Sequence, residues 1–331
     1  MKDYGFNYVV FGYANDFYTI PYDDVNHLDN ALYLCKPIDS DNKLLTFLYK
    51  THFSGLLNKK IDMPFKSIWN PMMFRHKFAT DRPICFIFFI RRCYLIKYGL
   101  LDYLKKQYPN AKFVCHYQDL VARCPDVPVD EIKARFDLVL SFDQRDAEQY
   151  DLEYYPLVYS DYKVPQNDKI EPSDVFFVGK AKDRLDDIID AFERLEGCGL
   201  KCDFHITGVP EEKRRLTDKI HYIDKMPYIE NLQRIKATKC LLEVMQKGGH
   251  GYTLRACEAI TYNRKMLTNN PEVTKAPFYS AEAISVFNTA DDIDLDFVKS
   301  ATEFDYNYKD KLSPTHMLEY CGERLSEGGK I

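Results

Sequence analysis

The stretch Gly248-Gly249-His250-Gly251-Tyr252-Thr253-Leu254-Arg255-Ala256-Cys257-Glu258-Ala259-Ile260 decides the reading of this chain. It sets a glycine-rich turn directly before a helix whose first turns carry Arg255 and Glu258. Glycines let the backbone turn tightly and approach an anion, the N–H groups of a helix start point at that anion, and the macrodipole adds favourable potential. Arg255 supplies a forked cation. Glu258, one turn further along the same face of an exposed helix start, supplies an acceptor for a sugar diol. The plainer alternative is a glycine-punctuated loop capped by Thr253.

The flanking segments favour the ligand-binding reading. Lys239 to Met245 and Lys265 to Asn270 read as buried parallel strands, so the glycines sit at the carboxyl end of a strand in a strand–loop–helix–strand unit. That edge is where doubly wound sheets bind ligands. A second loop, Gly179-Lys180-Ala181-Lys182, lies between the strand Val175 to Val178 and the helix Leu185 to Glu196, and two such loops on one sheet edge can hold one diphosphate. Neither loop is a Walker A or a Gly-x-Gly-x-x-Gly fingerprint, so ATP hydrolysis and nicotinamide binding have no specific support.

Working outward, strands alternate with helices through both halves. In the first half the strands are Tyr8 to Phe11, Ala31 to Leu34, Ile84 to Ile90, Lys112 to His116 and Leu138 to Phe142, and the helices Lys43 to Leu57, Tyr94 to Gln107 and Asp130 to Arg135. Pro156, Pro165 and Pro172 break the pattern between Tyr155 and Asp174, a linker. The second half adds the strand Cys202 to Thr207, a charged helix Glu211 to Lys219, a short strand His221 to Ile223 and the helix Tyr228 to Ala237. Ser313-Pro314 opens a closing helix by its cap and first-turn residues. The organisation is an α/β chain with two doubly wound domains facing a cleft, at 1–160 and 161–310, and a crossover helix and tail at 311–331.

Composition excludes several classes. In 331 residues the net charge is −5 and no long basic run tracks a phosphate backbone, which argues against a nucleic-acid partner. The ten cysteines show no Cys-x-x-Cys pair and read as reduced thiols of a cytoplasmic protein. No apolar run reaches the length of a membrane span. Abundant aromatics and the pairs Lys59-Lys60, Arg91-Arg92 and Lys105-Lys106 leave room for a peripheral contact at the inner face of a membrane.

Taken together, Val178-Gly179-Lys180, Ile206-Thr207-Gly208, Tyr228-Ile229-Glu230-Asn231-Leu232 and the block Gly251 to Ala259 resemble the nucleotide-binding domain of GT-B glycosyltransferases, closest to the bacterial transferases of lipopolysaccharide and capsule assembly. The resemblance covers residues 174 to about 275 and extends more loosely over the first half. It implies that Glu258 binds the nucleotide ribose, that Gly251, Tyr252, Thr253 and Leu254 present backbone N–H groups to the diphosphate, and that Arg255 with Gly179, Lys180 and Lys182 completes the donor site. Where the family commonly has an acid before the glycine loop, this chain has Lys247 to His250.

The implied activity is transfer of a sugar, from a UDP-sugar first, to a growing surface polysaccharide or lipid-linked glycan. No cofactor is expected, the nucleotide sugar being a co-substrate, and no metal, because no Asp-x-Asp follows a strand. An inverting reaction needs a base from the first domain, and the candidates are Asp119, then Asp16 and Asp143. Each alternatively forms a turn or caps a helix, and His116 and His250 are alternatively structural. A nucleotide-sugar epimerase or hydrolase of the same architecture and a non-catalytic sugar-nucleotide-binding subunit stay open beside the transferase. So do galactofuranose, glucose and amino sugars as the group transferred.

Overall fold

The structure, a computed structural model, describes residues 2–59, 61–125, 127–247, 251–301 and 303–327. Gly248, Gly249, His250 and Lys60 lie outside the described residues. The chain divides into two compact units, Met1–Ser160 with Ser313–Ile331, and Asp161–Leu312.

The first unit is built on β1 (Asn7–Phe11), β2 (Ala31–Leu34), β3 (Ile84–Phe89), β4 (Lys112–Tyr117), β5 (Leu138–Ser141) and β6 (Glu153–Tyr154), all parallel, in the order β2-β1-β3-β4-β5-β6. Strands such as Ile84–Phe89 are apolar throughout because a parallel sheet is covered on both faces. Phe86 and Phe88 join Val9, Phe11 and Phe113 on one face; Cys85, Ile87 and Phe89 join Tyr8, Val10 and Val114 on the other. The second face is closed by the helix Pro314–Glu327, which contributes Met317, Leu318, Cys321 and Leu325. Gly322 permits its close approach: a Cβ there would stand 2.7 Å from Cβ of Tyr4 and overlap the Tyr8 hydroxyl.

The second unit carries β7 (Ser173–Lys180), β8 (Cys202–Thr207), β9 (His221–Ile223), β10 (Thr238–Glu243), β11 (Lys265–Thr268) and β12 (Ile284–Val286), again all parallel, in the order β12-β11-β10-β7-β8-β9. Counted from β7 this is the Rossmann order, in which the chain runs outward through β9 and then returns to the far side of β7. Two Rossmann-like α/β units in one chain, with the last helix given back to the first, are the GT-B organisation.

Several expectations are corrected. The first long helix stops at His52 rather than Leu57, where Gly55 follows and Asn58 folds back to bond the carbonyls of His52 and Ser54. Tyr94 to Gln107 is not one helix: Gly99 at φ 75° separates a 3-10 segment, Ile90–Tyr98, from the helix Leu100–Gln107. Of the charged helix Glu211 to Lys219 only a single 3-10 turn, Glu211–Lys213, exists; the run has no apolar stripe to bury, and Leu216 is left-handed at φ 52°. Gly179 and Lys180, read as a loop, are the last two residues of β7 and pair with Ile206 and Thr207. The helix Gln144–Tyr150 and the short strands β6 and β12 are additions to the sequence reading.

Candidate functional site

Because β10 lies beside β7 and the next strand in sequence after β7 lies on its other side, the β7/β10 boundary is the switch point of the second sheet, where the crevice beyond the strand ends receives ligands. The carboxyl ends of these two strands carry Gly179-Lys180 and Glu243. Two arginines fasten the tips. Arg184 donates Nη2 and Nε to the Lys180 carbonyl at 3.1 and 3.3 Å, and Nη1 to the Val244 carbonyl. Burial pushes the pKa of this guanidinium down, while the nearby Glu243 and Asp183 carboxylates push it up. Gly179 is glycine for the same reason: a Cβ there would come 3.2 Å from the Phe177 ring and 3.3 Å from Arg184 Nη2.

Arg255 is the second fastener. Its Nη2 donates to the Val178 carbonyl at 3.0 Å, its Nη1 stands 2.9 Å from Glu258 Oε2, and its guanidinium lies 5.7 Å from the centre of the Phe176 ring. Glu258 Oε1 accepts from the Tyr228 hydroxyl at 2.8 Å and from Asn231 Nδ2 at 2.9 Å. This corrects the exposed helix start expected above. The helix Leu254–Thr261 is buried from Ala256 onward and packs against the helix Tyr228–Ala237, so Glu258 is only 3% exposed and Arg255 has its charge spent within the protein.

The turn before that helix is held from below. Thr253 caps it by accepting the Arg255 N–H at 3.1 Å, and the same hydroxyl donates to Glu243 Oε1, whose other oxygen accepts from Thr268 Oγ1 at 2.6 Å. Gly251, at φ 65°, donates its N–H to Glu272 Oε2 at 2.7 Å, and its carbonyl accepts from Asn270 Nδ2 at 2.6 Å. Tyr252 stacks edge-on against Phe278, with centroids 5.0 Å apart. Lys182, left-handed at φ 48°, reaches Gln246 Oε1 at 2.8 Å. Lys180 stands exposed at the strand tip and has no ion-pair partner among the described residues.

The structure thus brings Gly179, Lys180, Lys182, Gly251, Tyr252, Thr253, Leu254, Arg255 and Glu258 to one sheet edge. It adds Arg184 and Glu243, which the sequence reading passed over. A charged residue closing the apolar run Lys239 to Val244 was the available signal for Glu243.

One group among the described residues has metal-ligand chemistry. Asp203 and His205 share a face of β8, His221 pairs with His205 across to β9, and their ligand atoms lie within 4.8 Å of one another. Imidazoles with a carboxylate suit zinc and its neighbours. Arg234, however, holds the second oxygen of Asp203 at 2.8 Å and opposes a cation there, while His205 Nε2 lies 2.7 Å from the first.

In the first unit the three candidate bases stand apart in character. Asp143 caps the helix Gln144–Tyr150 by accepting the Asp146 N–H at 2.9 Å. Asp16 is exposed in the first turn of the short helix Asp16–Thr19. Asp119, in the loop after β4, has its Oδ2 3.1 Å from Arg91 Nη2, while its Oδ1 accepts the Leu120 N–H at 3.0 Å and stands 3.6 Å from Arg123 Nη1.

His116 is structural. It is 2% exposed at the end of β4, its Nδ1 lies 3.2 Å from the Tyr22 hydroxyl, and burial alone pushes its pKa down to about 3. Unfolded, the ring takes a proton below about pH 6.5, while the folded ring stays neutral, so stability falls as pH drops from about 6.5 towards 3. Parent protein should therefore lose about 2 kcal/mol more stability than His116→Gln between pH 7 and pH 5, read by urea unfolding. Parallel pH profiles would remove His116 from this account.

No family model matches the chain and no curated protein is similar to it. Solved structures are similar at low identity. An alpha-glucosyltransferase in complex with UDP and a 13-mer DNA is 14% identical, with 76% of each chain covered and a TM-score of 0.39. The glycotransferase of kitacinnamycin is 10% identical, with 97% of this chain and 93% of that one covered and a TM-score of 0.38. The glycosyltransferase SnogD from Streptomyces nogalater is 10% identical, with 67% of each covered and a TM-score of 0.30. At these scores the likeness carries no residue-level argument.

Proposed function

We propose that this chain is a glycosyltransferase that takes a sugar from a nucleotide donor, a UDP-sugar first. The acceptor in this reading is a growing surface polysaccharide of the lipopolysaccharide or capsule kind, or a lipid-linked glycan, met at the inner face of the membrane by a peripheral protein. The observation that carries the reading is the switch point of the second sheet. There an exposed lysine, Lys180, a capped helix start at Thr253 and a buried carboxylate network around Glu258 converge on the ends of β7 and β10.

Cleaving a nucleotide sugar leaves a diphosphate whose charge must be met. Lys180 and the amides of the helix start supply that stabilisation, while Arg184 and Arg255 fix the strand tips that present them. The reading takes no metal and no cofactor.

Turnover of UDP-sugars measured with and without glycan acceptors, each in EDTA, tests it. Acceptor-dependent release of UDP that chelator leaves unchanged is the expected result. Donor consumption independent of acceptor would make the chain an epimerase or hydrolase, UDP-sugar binding without turnover a binding subunit, and loss of rate restored by a divalent ion would end the metal-free mechanism.

A further inference from the structure

Nine of the twelve exposed large hydrophobic side chains among the described residues fall between Leu44 and Ile68. Leu44, Phe47 and Leu48 form the outward stripe of the helix Lys43–His52, whose Tyr49 faces the core. Beyond it come Leu56, Ile61 and Phe65, exposed by 88%, 77% and 77%. A fold gains nothing from apolar surface left in water, and clustering on this scale marks an interaction site.

The loop from Phe53 to Phe65 is turned inside out. Asn58 and Asp62 turn inward to Lys66, while Leu56, Leu57, Ile61, Met63 and Phe65 face solvent. Asn58 donates to the carbonyls of His52 and Ser54 at 2.9 and 2.8 Å, and its oxygen accepts the Met63 N–H at 2.7 Å and Lys66 Nζ at 2.8 Å. Lys66, itself buried, is paired with Asp62. His52 accepts from Trp69 Nε1 at 2.9 Å and lies 2.9 Å from the Pro64 carbonyl, which ties the loop to the last turn of the helix. Within this clasp Phe65 is held left-handed at φ 60°, an unfavourable backbone for an aromatic residue. The clasp spends polar bonds and backbone strain on keeping apolar side chains outward.

Charge identifies the occupant. The segment 43–68 holds five lysines against one acid, Asp62, in a chain of net charge −5, and Lys43, Lys50 and Lys59 are exposed. Protruding apolar side chains combined with lysines are the two terms that together hold a protein at an anionic lipid surface. We propose that this face docks on an anionic bilayer, with Leu44, Phe47, Leu56, Ile61 and Phe65 entering the acyl boundary and the lysines lying against headgroup phosphates. The inference rests on the peripheral-membrane part of that reading, but its test needs no substrate, so its failure is distinguishable from a failure of sugar transfer.

The test is cosedimentation of the full chain with vesicles of phosphatidylcholine alone and of phosphatidylcholine mixed equally with phosphatidylglycerol. The protein should pellet with the mixed vesicles, less so in high salt, and not with the neutral ones. The double substitution Leu56→Ser with Phe65→Ser should cut partitioning by about tenfold or more, and Lys43→Glu with Lys50→Glu likewise, with melting curves unchanged. Absence of binding to the mixed vesicles, or variants that bind as the parent does, overturns the proposal. So does a dimer, seen by sedimentation velocity, that dissociates in the Leu56→Ser, Phe65→Ser variant while vesicles stay bare, because the face would then belong to a second copy of the chain.

Discussion

Asp119→Asn is expected to cut turnover by roughly 10²–10⁴ while donor affinity stays near the parent value, because a base acts on the acceptor in the transition state. On the proposed reading Asp119 is the first choice among the three aspartates. It is neither a helix cap like Asp143 nor in the first turn of a helix like Asp16, and the guanidinium groups of Arg91 and Arg123 hold it in place at the end of β4. These partly exposed pairs contribute at most about 1 kcal/mol each, so the variant should fold and the loss will be one of rate. Asp143→Asn and Asp16→Asn are the controls. A larger loss at either moves the role there, and if no variant falls more than about tenfold the inverting mechanism should be dropped.

Glu258→Ala should destabilise the second unit by about 3–5 kcal/mol, because the substitution strands the Arg255 guanidinium and removes the acceptor of Tyr228 and Asn231 in a buried site. The melting temperature of that unit would then fall by roughly 6–20 °C. Glu258→Gln separates folding from binding. Its amide oxygen still accepts from Tyr228 and Asn231 although the ion pair with Arg255 is lost, so it should melt between the alanine variant and the parent and, if position 258 reaches the ribose, weaken UDP binding by about 1.5–3 kcal/mol. An alanine variant that melts with the parent would show the network to be dispensable. Equal UDP affinity in the glutamine variant would remove Glu258 from the donor site.

The fold was legible where apolar runs are continuous. Ile84 to Phe89 and Lys239 to Glu243 are strands because nothing else buries such runs, and Gly179 marks a strand end and Gly251 the approach to a helix start at the switch point. Illegible parts depend on tertiary partners. Nothing local ends the first long helix at His52; Asn58 does so from six positions away. The charge pattern of Glu211 to Lys219 suits a helix, yet its one apolar residue, Leu216, gives it no stripe to bury. At the site, residue types were readable and burial was not. Glu258 is an ordinary polar position on a helix until Tyr228 and Asn231 close over it, and Arg184 looks like a solvated helix start until the carbonyls of Lys180 and Val244 converge on it.

The return of the helix Pro314–Glu327 reverses the order in which the units can be finished during synthesis. A ribosome emits the strands of the first sheet early, but the face bearing Tyr8, Val10, Ile87 and Phe89 is closed by Met317, Leu318 and Cys321, and a contact such as that of Tyr22 with Met317 spans 295 positions. The second unit is one uninterrupted segment and can complete its sheet meanwhile. The part made first is therefore the last to be sealed, and until the closing helix emerges the nascent chain carries an open apolar sheet face that a chaperone would recognise.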